Sequence, residues 1–349
     1  MRTAITELFG VKYPILNAGM GRVALPNMVA AVSNAGGLGV LGAGTAPPEQ
    51  VREWIREVRS LTDKPFGANV PLALPNAMDN AKILLEEKVP VINYSMGSGR
   101  WICDWAHKYG GKVMASITTK KLALSAQKHG CDAVIAAGTE AAGHSGPSST
   151  MALIPELREA LDIPIIAAGG VSTGQALIAV IALGASGASM GTRFWTTAEG
   201  PMMPAWKEKA LELASTDTLY SEKFDGWMNR QMDVPGARKM MNAKTLNYFS
   251  VLRESFKISK ELDIPWIKLS FDTFRKGPKE IQSMMRMAEM LKAHTHTMTS
   301  NDTSIGFTAV GQSVGMVHDV PTIAELIPRL VAEAEEAKRR VLETSNIGA

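Results

Sequence analysis

The chain has 349 residues, 46% hydrophobic and 20% charged, a globular balance with room for a sizeable core. Its 37 basic and 34 acidic residues leave a formal net charge of +3 without a basic block, which argues against nucleic acid or a membrane surface as partner. Two cysteines without metal-ligand or CxxC spacing, no N-terminal signal-peptide core and no apolar run near the roughly 20 residues of a membrane span predict a soluble cytoplasmic protein with no metal site.

Residues 14–18 (PILNA) form a first short apolar run, followed by Gly19-Met20-Gly21. A helical pattern over 25–34 stops at Gly36-Gly37, and 38–41 reads as a second strand. Pro47 and Pro48 open a helix over 49–61. Strands then alternate with helices: 65–70 and 76–87, 89–94 and 100–109, 112–117 and 120–129, 133–137 and 151–160, 164–168 and 172–183, ending with a strand at 187–190. Short apolar runs bounded by glycine are the signature of strands buried on both faces. Eight such units in a row predict a (β/α)8 TIM barrel, whose active-site groups lie just after the strands.

Residues 195–303 are rich in Met, Lys and Glu, helical in pattern at 203–213 and 279–294, and without strand alternation. They predict a helical appendage inserted after strand eight, and 310–317 with a helix over 322–342 predict a return to the barrel. The expected division is a barrel over 1–200, a helical substrate or lid region over 201–305 and a C-terminal return over 306–349.

The chemistry-bearing residues follow the strands. Gly169-Gly170 and Gly191-Thr192 end consecutive strands, where backbone N–H groups and the Thr192 hydroxyl either cradle a phosphate or merely make tight turns. His144 stands in the loop GTEAAGHSG after strand six, either as a surface residue or as a proton-handling imidazole. Glu140 is either its orienter or an exposed turn residue. Asn69, after strand three, offers a donor and an acceptor to the edge of a flat ring or ties down its own loop. Gly36-Gly37-Leu38-Gly39 precedes a strand, so it is no dinucleotide fingerprint. The other five histidines read as structural.

The segments NAGM (17–20), AVSNAGGLGVLGAG (31–44), LTDKPFGANV (61–70), AGHSG (142–146), PIIAAGGVSTG (164–174) and GASMGTRF (187–194) resemble the nitronate monooxygenase family. The FabK-type enoyl-acyl-carrier-protein reductases share this pattern, and GQSVG (311–315) looks closer to their tail. The resemblance implies a TIM barrel with non-covalent FMN. Ala18, Gly19, Met20 and Asn69 would lie along the flavin, and Gly138, Gly169, Gly170, Gly191 and Thr192 would complete its site. His144 would match the histidine facing it as base or polar anchor. The implied reaction is oxidation of an alkyl nitronate by O2 to a carbonyl compound and nitrite. The alternative in the same family is NAD(P)H-dependent reduction of an enoyl thioester or a quinone, and outside it a flavin-free lyase or isomerase of a phosphorylated ligand. The expected partners are a small-molecule substrate with O2 or NAD(P)H, and a homodimer is compatible with the sequence. Many nitronate monooxygenases carry a lysine at the end of strand five, where this chain has Ala115-Ser116-Ile117-Thr118. Its histidine loop has the EA-GH frame of the reductases.

Overall fold

The protein is described by a computed structural model over residues 1–44, 46–243 and 278–345. Eight parallel strands form one sheet: β1 (Ile15–Asn17), β2 (Gly39–Gly42), β3 (Phe66–Pro71), β4 (Val91–Ser95), β5 (Lys112–Ile117), β6 (Ala133–Ala137), β8 (Ile165–Ala168) and β9 (Gly187–Met190). The order β1-β9-β8-β6-β5-β4-β3-β2 leaves β1 and β2 at its two edges, and a parallel bridge from Leu16 to Leu38 joins them. The chain is therefore a closed TIM barrel, with the strands where the sequence predicts them.

One side chain reinforces that seam beside the backbone bond from Leu38 N–H to Ile15 O at 3.0 Å. Asn17 is fully buried; its Nδ2 donates to the carbonyls of Val40 and Ala18, both at 2.9 Å, and its Oδ1 accepts from the Val40 N–H at 2.8 Å. The amide thus supplies the ladder bonds that β1 and β2 do not make through their backbones. Truncating it would strand several buried polar groups at once, each costing about 1–3 kcal/mol. Asn17→Ala is expected to lose about 3 kcal/mol or more in urea unfolding; a loss below about 1 kcal/mol would mean the backbone bridge closes the barrel alone.

Side-chain alternation along the strands separates two cores. Leu16, Val40, Val91, Met114, Ile135 and Ile166 fill the barrel interior, with Ile5 and Phe9 of the N-terminal helix Ala4–Phe9 packed among them. Their neighbours Ile15, Leu41, Ile92, Val113, Val134 and Ile165 belong to the layer between barrel and surrounding helices. The same parity turns Asn69, Asn93 and Ser116 inward, near the carboxyl ends of β3, β4 and β5. They satisfy one another there: Asn93 Nδ2 donates to Asn69 Oδ1 at 3.0 Å and to Ser116 Oγ at 3.1 Å. A polar rung thus caps the apolar interior at the functional mouth.

Helix Thr192–Trp195 after β9 is only four residues long, and helix Ile323–Ser345 packs beside helices Gly174–Ala182 and Pro26–Asn34. Between them lie helices Pro204–Leu211, Pro235–Met241 and Pro278–Thr299. The expectation of helix alone in this stretch needs correction. β10 (Thr218–Ser221) pairs antiparallel with β11 (Asn229–Met232), and β11 pairs with β7 (Gly143–His144). Apolar alternation does not mark these strands, because β11 is buried through satisfied polar side chains (Asn229, Arg230, Gln231). Residues 310–317 hold a short 3-10 turn, Gln312–Met316, in place of a regular element of the barrel. No helix among the described residues is long and apolar enough to cross a membrane.

Candidate functional site

The carboxyl ends of the strands gather the sequence-predicted residues. Ala18 N–H bonds Met190 O at 2.9 Å, joining the loops after β1 and β9. A Cβ built on Gly191 would stand 3.7 Å from both Ala18 Cβ and Met20 Sδ, ordinary contact distances, so there is room beside this backbone. Gly19 has none: its Cβ would fall 2.3 Å from Asn69 Cβ. Asn69 Nδ2 donates to Gly19 O at 2.9 Å. Asn69 therefore does tie down a loop, that of β1, while a second amide hydrogen and a carbonyl lone pair remain for a ligand.

Gly169 and Gly170 have φ of +94° and +75°, the left-handed region that suits glycine. Gly170 opens onto a cavity of about 480 Å³ lined also by Ala214, Ser215, Gln312 and Ser313. Thr192 is buried, and its hydroxyl accepts the Gly311 N–H at 2.9 Å, which anchors the 3-10 turn beside the glycines and leaves the hydroxyl hydrogen to donate. Gly138 N–H bonds Ala168 O at 2.9 Å, beside Gly169, and a Cβ there would meet Thr150 Oγ1 at 2.2 Å, so this position also requires glycine.

His144 is one-third exposed, and its Nε2 lies 2.6 Å from Oδ2 of Asp225, whose side chain is fully buried. Glu140 is neither its orienter nor an idle turn residue. Its carboxylate accepts from Thr150 N–H at 2.9 Å and Thr150 Oγ1 at 3.0 Å, capping helix Thr150–Arg158. The orienter is Asp225, 81 residues away in sequence, delivered by the β7–β11 pairing. No spacing rule reaches across such a gap; the one local signal is the Asp225-Gly226 turn before β11. Burial pushes the Asp225 carboxyl up, but the His144 hydrogen bond and charge, the Trp227 N–H and the Asn229 amide outweigh it and hold the group below its usual 3.8. With Nε2–H given to the carboxylate, Nδ1 is the ring atom that can accept a proton. Trp227 stands edge-on to the imidazole, ring centres 5.4 Å apart.

A directional network extends from the pair. His294 Nε2–H donates to Gln231 Oε1 at 3.0 Å, Gln231 Nε2 to Asn229 Oδ1 at 2.7 Å, and Asn229 Nδ2 to Asp225 Oδ2 at 3.1 Å. Every donor points toward the carboxylate, so each amide is fixed in one orientation. Burial, with the charge of Arg22, pushes His294 down from 6.5 to about 4. A base with a depressed folded value stabilises the fold fully only above its unfolded value. Stability is therefore expected to fall between pH 6.5 and about pH 4, because the unfolded chain takes up the proton first. The slope is about 1.4 kcal/mol per pH unit at most. His294→Gln keeps a donor for Gln231 and should flatten that part of the Tm-against-pH curve; parallel curves would show that His294 is not neutral in the fold.

The His144 loop is clamped elsewhere too. Arg230 donates to Thr139 O at 2.8 and 3.0 Å and lies over the Tyr220 ring, and Tyr220 OH donates to Ser145 O and Gly146 O. Ser145 Oγ is buried without a hydrogen-bond partner among the described residues.

The family model described as Nitronate monooxygenase matches residues 2–90 and 81–333. Among curated proteins, the chain is 34% identical over 341 residues to a (3aS,4S,5R,7aS)-5-hydroxy-7a-methyl-1-oxo-octahydro-1H-indene-4-carboxyl-CoA dehydrogenase of Rhodococcus jostii, covering 96% of each. It is 30% identical to a probable nitronate monooxygenase of Staphylococcus saprophyticus, over 69% of this chain and 81% of that one. Among solved structures, FabK from Thermotoga maritima superposes with a TM-score of 0.83 at 31% identity, covering 99% of both chains. The barrel, the glycine-lined mouth and these matches agree that the chain belongs to the nitronate monooxygenase family.

Proposed function

We propose that this chain is an FMN-dependent oxidoreductase that dehydrogenates a coenzyme A thioester next to its carbonyl group. The observation that carries the reading is the 2.6 Å His144–Asp225 pair at the barrel mouth, a base held by a buried anion. Length supports the thioester: the CoA dehydrogenase relative matches 96% of the chain, the probable nitronate monooxygenase 69%. The FabK-type reductases, which the sequence also resembles, work on acyl thioesters.

The residues present fit FMN. Gly169 and Gly170 give a turn without side chains beside a cavity, Gly191 leaves room for a ligand, and the buried Ser145 hydroxyl lacks a partner among the described residues. Gly169, Gly170, Gly191 and Thr192 would hold the phosphate, and Ala18, Gly19, Met20 and Asn69 would line the ring. Gly138, beside Gly169 and packed against Thr150, would complete the site. When bound, FMN supplies the two-electron acceptor.

The protein's own part is proton chemistry. A carbon between a thioester carbonyl and a C–H to be oxidised is acidic enough for imidazole once oriented. His144 Nδ1 takes the α-proton, and Asp225 stabilises the resulting imidazolium without being protonated itself. Asn229, Gln231 and His294 hold the carboxylate in place. The region after Trp195 delivers Asp225 to His144.

A second reading, favoured by the family match, has a nitroalkane or its nitronate anion as substrate; the nitro group acidifies its neighbouring carbon, so His144 would act on the neutral form. Product analysis separates the two. Under air, mass spectrometry should find an acyl-CoA lacking two hydrogens. Nitrite from a nitronate without any change in acyl-CoA substrates would overturn the thioester reading.

A further inference from the structure

A second cavity, about 440 Å³, lies between the loop after β1 and helix Pro278–Thr299, lined by Arg22, Leu291, Lys292, Thr295, His296 and Thr299. The helix presents two stripes. Met290, His294 and Thr297 face inward, with Met290 and His294 against the amide network of the His144–Asp225 pair and Thr297 fully buried. Lys292, Thr295, His296 and Thr299 recur at helical spacing on the stripe that lines the cavity. The same helix thus connects the proton-handling pair to a cationic pocket.

Arg22 closes the other side. It is one of four described non-glycine residues with positive φ, at +63°, a conformation that costs free energy for a side chain of this kind. Its Nη1 donates to Thr295 Oγ1 at 2.5 Å, and Thr295 passes its own hydrogen to Leu291 O at 2.8 Å. The guanidinium is therefore held at the rim through one of its five donors. His296 is fixed as well: Nε2–H donates to Asp302 O at 2.9 Å and the ring stands edge-on to Trp206. The carboxylate of Asp302 is turned to Ser304, accepting its N–H at 2.9 Å and its hydroxyl at 2.6 Å.

We propose that this pocket binds the phosphate-bearing nucleotide end of a coenzyme A thioester, with Arg22 as the principal anion contact. The inference rests on the thioester reading above and extends it from the reacting carbon to the handle of the substrate. The Arg22 guanidinium matches the diphosphate of CoA in charge and in planar, two-pronged geometry. The pocket borders the loop that carries Arg22 on one side and the outward stripe of helix Pro278–Thr299 on the other.

Calorimetric titration of the flavin-loaded protein with free CoA and with pantetheine, which lacks the nucleotide and its phosphates, tests this in wild type, Arg22→Ala and Arg22→Glu. Arg22 is exposed, so both variants should fold, and retained flavin absorbance verifies it. CoA Kd should rise roughly tenfold in Arg22→Ala and further in Arg22→Glu, with pantetheine indifferent to either change. Equal CoA affinity in all three proteins, no CoA binding in any, or a loss for pantetheine as large as for CoA would overturn the proposal. Product formation is read separately. A protein that binds CoA through Arg22 yet dehydrogenates no thioester keeps this site and loses the reaction assigned above.

Discussion

Replacing His144 by alanine is expected to lower kcat on a thioester by about 10²–10⁴-fold, the usual worth of a positioned general base. The side chain sits in a two-residue strand whose backbone pairs with β11, so truncation leaves the pairing and the fold in place. The useful contrast is with a preformed nitronate anion, which has no proton to give. If His144 acts as a base, His144→Ala slows the neutral nitroalkane far more than its anion. Equal losses on both would leave His144 a polar anchor, and an unaffected thioester rate would remove it from the mechanism.

Asp225→Asn carries the second large effect. The amide fits the same space but presents no negative charge to a protonated imidazole, and kcat should fall by about 10²–10⁴-fold with KM for the thioester little changed. A merely structural carboxylate would predict lost stability with near-normal turnover. The sign of the stability change with pH provides a control. Burial pushes the Asp225 carboxyl up, the His144 contact pulls it down further, and the net value lies below 3.8. Its contribution is thus present above pH 3.8 and lost as the pH falls through the lower folded value. Wild type should therefore lose more stability than Asp225→Asn on acidification below that range, measured as Tm. Identical acid sensitivity would mean that Asp225 is not held ionised by its partners.

What the sequence revealed and what it concealed follow from how each contact is encoded. The barrel was legible because apolar strands buried on both faces, punctuated by glycine, leave a local signal eight times over. Gly169, Gly170, Gly191 and Thr192 were legible for the same reason, since a turn at a strand end writes itself in two adjacent residues. Asp225 was not, because its partner lies 81 residues away and the pairing of β7 with β11 leaves no periodicity. Glu140 reads from the sequence as either an orienter or an exposed turn residue, yet its carboxylate serves the Thr150 helix. Arg22 follows the predicted loop after β1, but its partner Thr295 lies 273 residues away on helix Pro278–Thr299, a contact that no local pattern encodes. The part of that region at 244–277 lies outside the described residues.

The most direct test of the account is an anaerobic absorbance spectrum of the purified protein, titrated with a saturated acyl-CoA. Flavin bands that bleach on adding the thioester and return with air, together with FMN on acid release, are the predicted result. A protein with no flavin bands would contradict the cofactor assignment. Bands that NADH bleaches and no thioester does would contradict the proposed direction of the reaction.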